Sequence, residues 1–203
     1  MKQRKADFER KSKETVIKID LNVDGSGKTK IKTNIGILDH MLELFAFHGF
    51  FDLDIAVKKA DLNVDIHHTN EDVGIVLGKA FKEALGERAG VRRFGFSAAP
   101  MEATVGICVI DLSGRGYLKV KTDSTKPSAV SQDGYAFSYL EHFLESFAHS
   151  VGATIYIEIK NFSDDLHTNL ETVFKSLGIA LDQATSIDPR RKGNVPSTKG
   201  IID

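Results

Sequence analysis

The sequence predicts an α+β fold built from two copies of one unit packed as a single body, and two internal correspondences carry that prediction. His40-Met-Leu-Glu-Leu-Phe-Ala46 returns 102 positions later as His142-Phe-Leu-Glu-Ser-Phe-Ala148. His67-His-Thr-Asn-Glu71 returns 100 positions later as His167-Thr-Asn-Leu-Glu171, followed by Val73 and Val173, then Leu77-Gly78 and Leu177-Gly178. In both halves a helix, a strand and a second helix come in the same order. A unit of about 90 residues with one sheet and two helices leaves an apolar face to cover, so the halves should pack together. The expected division is residues 1–92 and 93–203, the second half ending in a basic tail.

Each element has a local reason. Thr15–Val23 alternates as a strand, Asp24-Gly25-Ser26-Gly27 is turn chemistry, and Lys28–Ile35 reads as the returning strand of a hairpin. Gly27-Lys28-Thr29 has the ending of a phosphate-binding loop, but Asn22 stands where that motif needs glycine. Gly36–His48 is dense enough in apolar residues for a largely buried helix, and Phe51–Val57 alternates as a half-buried strand. A short strand is expected at Leu62–Ile66, then a helix from Thr69 to Leu85 closed by Gly86. In the second half, Gly95–Ile110 and Gly116–Lys121 read as strands flanking a turn, and Asp123–Asp133 as a loop containing Pro127. Gly134–Ser150 is expected to be helical, Ala153–Lys160 a strand and His167–Ala184 a long helix. From Asp188 onward the chain is rich in turn-forming and basic residues.

Composition narrows the class. The 203 residues are 41% hydrophobic and 27% charged, which excludes a disordered chain. Lys+Arg 27 against Asp+Glu 28 argues against nucleic acid or a membrane surface as the main partner. No run of 18 apolar residues is present, and the basic start lacks the apolar stretch of a signal peptide. The single cysteine, Cys108, lies in an apolar run and suits a reducing compartment. A cytoplasmic location is the expectation.

Four of the seven histidines, His40, His67, His142 and His167, occupy repeat-equivalent places. His67 and Glu71 are i and i+4 on a helix, so imidazole and carboxylate share one face, and His167 with Glu171 repeats the pair. Such a pair suits one divalent ion of the Mn²⁺, Fe²⁺ or Zn²⁺ type, with further imidazole from His40 and His142. His68 lies about 100° round the helix and should face another site. His48 and His149 have no repeat partners and read as packing or capping residues. Some of Arg92, Arg93, Arg115, Lys175, Ser197 and Lys199 would form a phosphate clamp if the fold brings them together.

The order and spacing of several motifs make the chain resemble the imidazoleglycerol-phosphate dehydratase family from about Arg10 to Gly200. They are Leu38-Asp39-His40-Met41-Leu42, His67-His68-Thr69-Asn70-Glu71-Asp72, Arg92-Arg93-Phe94-Gly95-Phe96, Asp111-Leu112-Ser113-Gly114-Arg115, Glu141-His142-Phe143, Phe174-Lys175-Ser176-Leu177 and Pro196-Ser197-Thr198-Lys199-Gly200. The resemblance implies duplicated ββαβα half-domains (the ribosomal protein S5 domain 2-like arrangement) and a symmetric assembly of 24 subunits with sites formed between them. It implies a hydro-lyase that removes water from imidazole glycerol phosphate to give imidazole acetol phosphate in histidine biosynthesis, using two Mn²⁺ ions per site. By position the metal ligands fall on His40, His67, His68, Glu71, His142, His167 and Glu171. The phosphate contacts fall on Arg93, Arg115, Lys175, Ser197 and Lys199, and the catalytic groups on Glu14, His68 and Glu171.

The chain departs from the family pattern at a few positions. Thr168 replaces the second histidine of the second pair, Leu44 replaces a glutamine, and Ala103 ends a segment that usually reads Pro-Met-Asp-Glu. Ile66 and Leu166 stand where aspartates are usual. The expectation that follows is one weakened metal position. The alternative reading is a non-catalytic or substrate-shifted homologue that retains the metal-linked assembly.

Overall fold

A computed structural model describes residues 4–125, 131–132 and 134–202. The first half runs β1 (Lys5–Lys11), β2 (Val16–Asn22), β3 (Thr29–Lys32), α1 (Gly36–His48), β4 (Asp52–Lys59) and α2 (His67–Leu85). The second runs β5 (Phe94–Met101), β6 (Thr104–Asp111), β7 (Tyr117–Thr122), the short pair β8 (Ser131–Gln132) and β9 (Tyr135–Ala136), α3 (Phe137–Val151), β10 (Thr154–Lys160) and α4 (Leu166–Thr185). The two main sheets have the same topology, β1-β2-β4-β3 and β5-β6-β10-β7, each with one parallel edge pairing.

The duplicated α+β layout is present; each main sheet has one strand more than ββαβα, and the second half adds the short β8–β9 pair. In the first half the extra strand is β1, which pairs antiparallel with β2 from Lys5↔Asn22 to Lys11↔Val16. Its mostly charged sequence hides the alternation, since Ala6 is buried and Phe8 only partly so. In the second half the stretch expected as one strand divides into β5 and β6 at Glu102-Ala103, where Glu102 adopts φ 52°.

Two local expectations are corrected. Lys28–Ile35 does not return as a hairpin: its strand is only Thr29–Lys32 and pairs parallel with β4, which lies between β2 and β3. The Asp52 carboxylate at the start of β4 accepts from the backbone N–H groups of Ser26 (2.8 Å) and Lys28 (3.1 Å). Those amides, the ones a phosphate loop would offer, are thus already used. Leu62–Ile66 is a turn, not a strand, with Leu62 and Val64 exposed and no sheet partner. Within the loop expected around Pro127, residues 126–130 and 133 lie outside the described residues, while Ser131–Gln132 pairs with β9.

Each half's helices pack on its own sheet and then on the other half's helices, α2 against α3 and α1 against α4. The Phe45, Phe51 and Phe81 rings of the first half and the Phe147 ring of the second make tilted and edge-on contacts, so one core spans both halves. The repeat extends to the helix crossings. A Cβ at Gly78 would stand 2.7 Å from the Phe147 carbonyl oxygen, and one at Gly178 2.3 Å from that of Phe45.

Cys108 is fully buried on β6, and burial pushes its thiol far above the ordinary range. Native protein should therefore resist thiol-labelling reagents and take up one label only when denatured. Stoichiometric labelling of the folded protein would contradict this packing. Among the described residues no helix is long and apolar enough to cross a membrane.

Candidate functional site

The first turns of α2 and α4 begin the same way. Asp65 accepts from the His67 backbone N–H at 2.7 Å, and Asp165 from that of His167 at 3.1 Å. Asp165 is the N-cap of α4, whereas Asp65 stands one position before the α2 cap, Ile66; in both places the carboxylate suits the positive end of the helix. The same Asp-x-His spacing stands in both copies of the repeat, Asp65-Ile66-His67 and Asp165-Leu166-His167.

On α4 the i, i+4 spacing brings His167 Nε2 to 2.9 Å from Glu171 Oε1. His40 arrives from α1 across the helix crossing, its Nε2 3.3 Å from the same oxygen. The His40 and His167 rings stack at 5.2 Å between centroids and 18° between planes. Lys175, a turn further on, pairs with the other carboxylate oxygen of Glu171. Burial alone would raise the Glu171 carboxyl, but Lys175, His167 and His40 outweigh it and bring it down to about 2. The ligand atoms of His40, His167 and Glu171 all lie within 4.8 Å of one another. Two imidazole nitrogens and a carboxylate form a donor set that fits a Mn²⁺-type divalent ion.

The repeat-equivalent residues meet differently. His67 Nε2 is 3.2 Å from Glu71 Oε2, while His67 Nδ1 lies 2.9 Å from His142 Nδ1. Here the second imidazole contacts the first rather than the carboxylate. These three line a cavity of about 480 Å³ together with His149, which the sequence reading set aside as packing. Another cavity, of about 630 Å³, opens beside His40 and His167 and is walled partly by Ile35, Leu62 and Tyr135.

His68 joins neither group. Its Nδ1 lies 2.8 Å from Asp61 Oδ2, and this contact holds its imidazolium above the usual range. A ligand atom of Glu14, one of Asp61 and one of His68 lie within 4.8 Å of one another. Asp61 was missed in the sequence because a turn of irregular backbone separates it from His68 and no spacing rule links them. At the repeat position of His68, Thr168 is buried and its hydroxyl donates to Asp165 at 2.8 Å, so it completes the α4 cap.

Arg93, Arg115, Ser197 and Lys199 converge on one surface cavity of about 410 Å³, with Ser113 added to the sequence-derived set. Arg93, at φ 78°, donates from Nε and Nη2 to the Asp111 carboxylate (2.6 and 3.0 Å) and from Nη1 to the Pro196 carbonyl (3.1 Å). Its guanidinium thereby ties the C-terminal tail to β6, and the Asp111 carboxylate holds its pKa up. Arg115 and Lys199 are exposed at the same cavity. Lys175 is not among its lining residues; it serves Glu171.

The imidazoleglycerol-phosphate dehydratase family model matches residues 33–181. The imidazoleglycerol-phosphate dehydratase of Geobacter metallireducens is 43% identical over 199 residues, covering 98% of this chain and 99% of the relative. That of Lachnoclostridium phytofermentans is 46% identical over 201 residues, with 98% and 99% covered. The imidazoleglycerol-phosphate dehydratase structure from Staphylococcus aureus superposes with TM-score 0.78 at 27% identity, covering 91% of this chain and 99% of that one. The Pyrococcus furiosus structure superposes at 0.76 with 36% identity, covering 96% and 99%. With its duplicated fold, its paired His/Glu helices and its near full-length relatives, the chain belongs to the imidazoleglycerol-phosphate dehydratase family.

Proposed function

We propose that the chain removes water from imidazole glycerol phosphate to give imidazole acetol phosphate, as a Mn²⁺-dependent step of histidine biosynthesis in the cytoplasm. The observation that supports this most directly is the meeting of His40 with His167 and Glu171 across the α1–α4 crossing. His40, His167 and Glu171 would hold one ion; His67, Glu71 and His142 would contribute to a second, with His68 supplied from a neighbouring subunit of a 24-subunit assembly. Bound divalent ions would supply Lewis-acid stabilisation of negative charge on the substrate's imidazole ring, so that the ring can push electrons toward the departing hydroxide and take them back when the neighbouring carbon loses its proton.

The residues of the chain do the rest. Arg115, Ser197 and Lys199 hold the phosphate end, and Arg93 keeps the tail that carries two of them against β6. Fixing that end turns a flexible polyol into an oriented reactant. The Glu14 carboxylate, beside His68, moves the proton on the carbon next to the departing hydroxyl.

Turnover of imidazole glycerol phosphate should disappear with a chelator and return with Mn²⁺. If native mass falls with the chelator but no turnover occurs at any metal concentration, the non-catalytic, metal-linked assembly is the better reading. Thr168 favours one feature of that alternative, because it offers no imidazole where the family does. Titration of demetallated protein with Mn²⁺ should accordingly show two unequal affinities. Two equally tight ions per subunit would refute the assignment of Thr168 as a missing ligand, whereas a gain in the weaker affinity on Thr168→His would support it.

A further inference from the structure

The four-residue turn between β1 and β2, Ser12–Thr15, carries Glu14 at an exposed position, yet the turn is tied down on three sides. Within it, Ser12 Oγ accepts from the Glu14 (3.1 Å) and Thr15 (2.9 Å) backbone N–H groups, and Ser12 N–H donates to the Thr15 carbonyl (2.9 Å). Toward β4, the Lys59 ammonium donates to the Lys13 carbonyl at 2.5 Å. Toward α2, the fully buried Thr15 hydroxyl donates to Asp72 Oδ2, which also takes the Arg10 guanidinium, both at 2.5 Å.

His68 and Asp72 are i and i+4, so they stand one turn apart on the same face of α2. Asp72 grips Thr15 while His68 meets Glu14, which makes two adjacent rungs between the turn and the helix. The duplicated scaffold itself does not require the Asp72 rung. At the repeat position of Asp72 stands Thr172, whose hydroxyl donates to the Asn169 carbonyl of its own helix at 2.8 Å. The second half holds its packing without such a tie, and it is the first half that presents Glu14.

We propose that Thr15, Asp72 and Arg10 are positioning residues that fix the β1–β2 turn so that the Glu14 carboxylate is held against His68 and Asp61. The proposal deepens the proton-moving role given to Glu14 above and rests on it. An exposed glutamate on an untied turn spreads over many backbone and side-chain states, and tying the backbone beneath it removes the backbone part of that spread before the carboxylate is used. The chain from the buried Thr15 hydroxyl through the Asp72 carboxylate to the half-buried Arg10 guanidinium supplies that tie.

The test uses full-length, metal-loaded protein. Thr15→Val removes only the hydroxyl and leaves the Arg10–Asp72 pair intact, so the protein should fold; Thr15→Ser restores the hydroxyl. Thr15→Val should lower kcat about tenfold with KM and bound metal unchanged, and Thr15→Ser should retain most of the activity. In a Glu14→Gln background, Thr15→Val should cause no further loss, because the residue it positions is already gone. Equal fractional losses in both backgrounds, wild-type kcat in Thr15→Val, or wild-type kcat in Glu14→Gln would each overturn the proposal. Amide exchange at Glu14 and the carboxylate ¹³C shift of its side chain, both read without substrate, should move to exposed-peptide values in Thr15→Val and return in Thr15→Ser. If the wild type does not turn over imidazole glycerol phosphate, the proposed function falls. The NMR comparison still decides whether the tie orders Glu14, and unchanged values there would overturn it.

Discussion

Glu171→Gln is expected to weaken Mn²⁺ binding by at least about a hundredfold and to lower kcat/KM with it. Loss of a residue behind a metal ligand already costs about 10–100-fold, and Glu171 is itself one of the three converging donors. Glutamine keeps the shape but supplies no negative charge, and it leaves the Lys175 ammonium without its carboxylate partner. Metal content after dialysis and Mn²⁺ titration provide the measurement; wild-type affinity would remove Glu171 from the ligand set. The metal-free protein should also lose a pH dependence. The Glu171 carboxyl is lowered from 4.5 to about 2 in the fold, so the unfolded chain binds its proton first on acidification. Its contribution to stability is complete above about pH 4.5 and is lost as pH falls toward about 2. Acid unfolding of metal-free Glu171→Gln should be correspondingly flatter through that window.

Gly178→Ala is expected to be strongly destabilising, because it forces apart the two helices that carry His40 and Glu171. The added Cβ would sit 2.3 Å from the Phe45 carbonyl oxygen and 3.2 Å from the Gly49 backbone nitrogen, both on α1 or at its end. Neither is the flexible tip of a side chain, so the helices must part by about 1 Å to reach ordinary contact distance. Overpacking of this kind costs about 1–3 kcal/mol, and at this chain length each kcal/mol lowers Tm by about 2–4 °C. Glu171, which His40 reaches from α1, lies two turns along α4 from Gly178, so separation of α1 from α4 should also loosen the His40–Glu171 contact and weaken metal binding there. Gly36→Ala, where nothing lies within 4 Å of the new Cβ, is the control and should be neutral or mildly stabilising. An unchanged Tm in Gly178→Ala would show that the crossing is looser than its geometry.

Much of this site could be read in the linear chain because duplication wrote it twice. The His/Glu pairs at i, i+4, the lone histidines ahead of them and the helices that carry them all follow from periodicity and from the two offsets. The aspartates two residues before His67 and His167 mark the starts of α2 and α4, and without them the expected start of α2, Thr69, fell two residues inside the helix. The β1 strand escaped because its charged outward residues mask a buried Ala6 and a half-buried Phe8, and the supposed hairpin failed because β4 enters between β2 and β3. Strand order is a long-range property, and no local pattern encodes which strand fills the middle of a sheet.

From residues alone, then, came the duplicated α+β architecture, the candidate metal-ligating side chains and the basic groups suited to phosphate. Only tertiary packing decided which of them meet. It placed His40 on Glu171 but His142 on His67, gave Lys175 to Glu171 instead of the Arg115 cavity, and set His68 beside Asp61 and Glu14. The physical reason is that spacing along a helix determines the face a side chain occupies, whereas the partner on that face is set by how closely two helix backbones cross, here through Gly78 and Gly178.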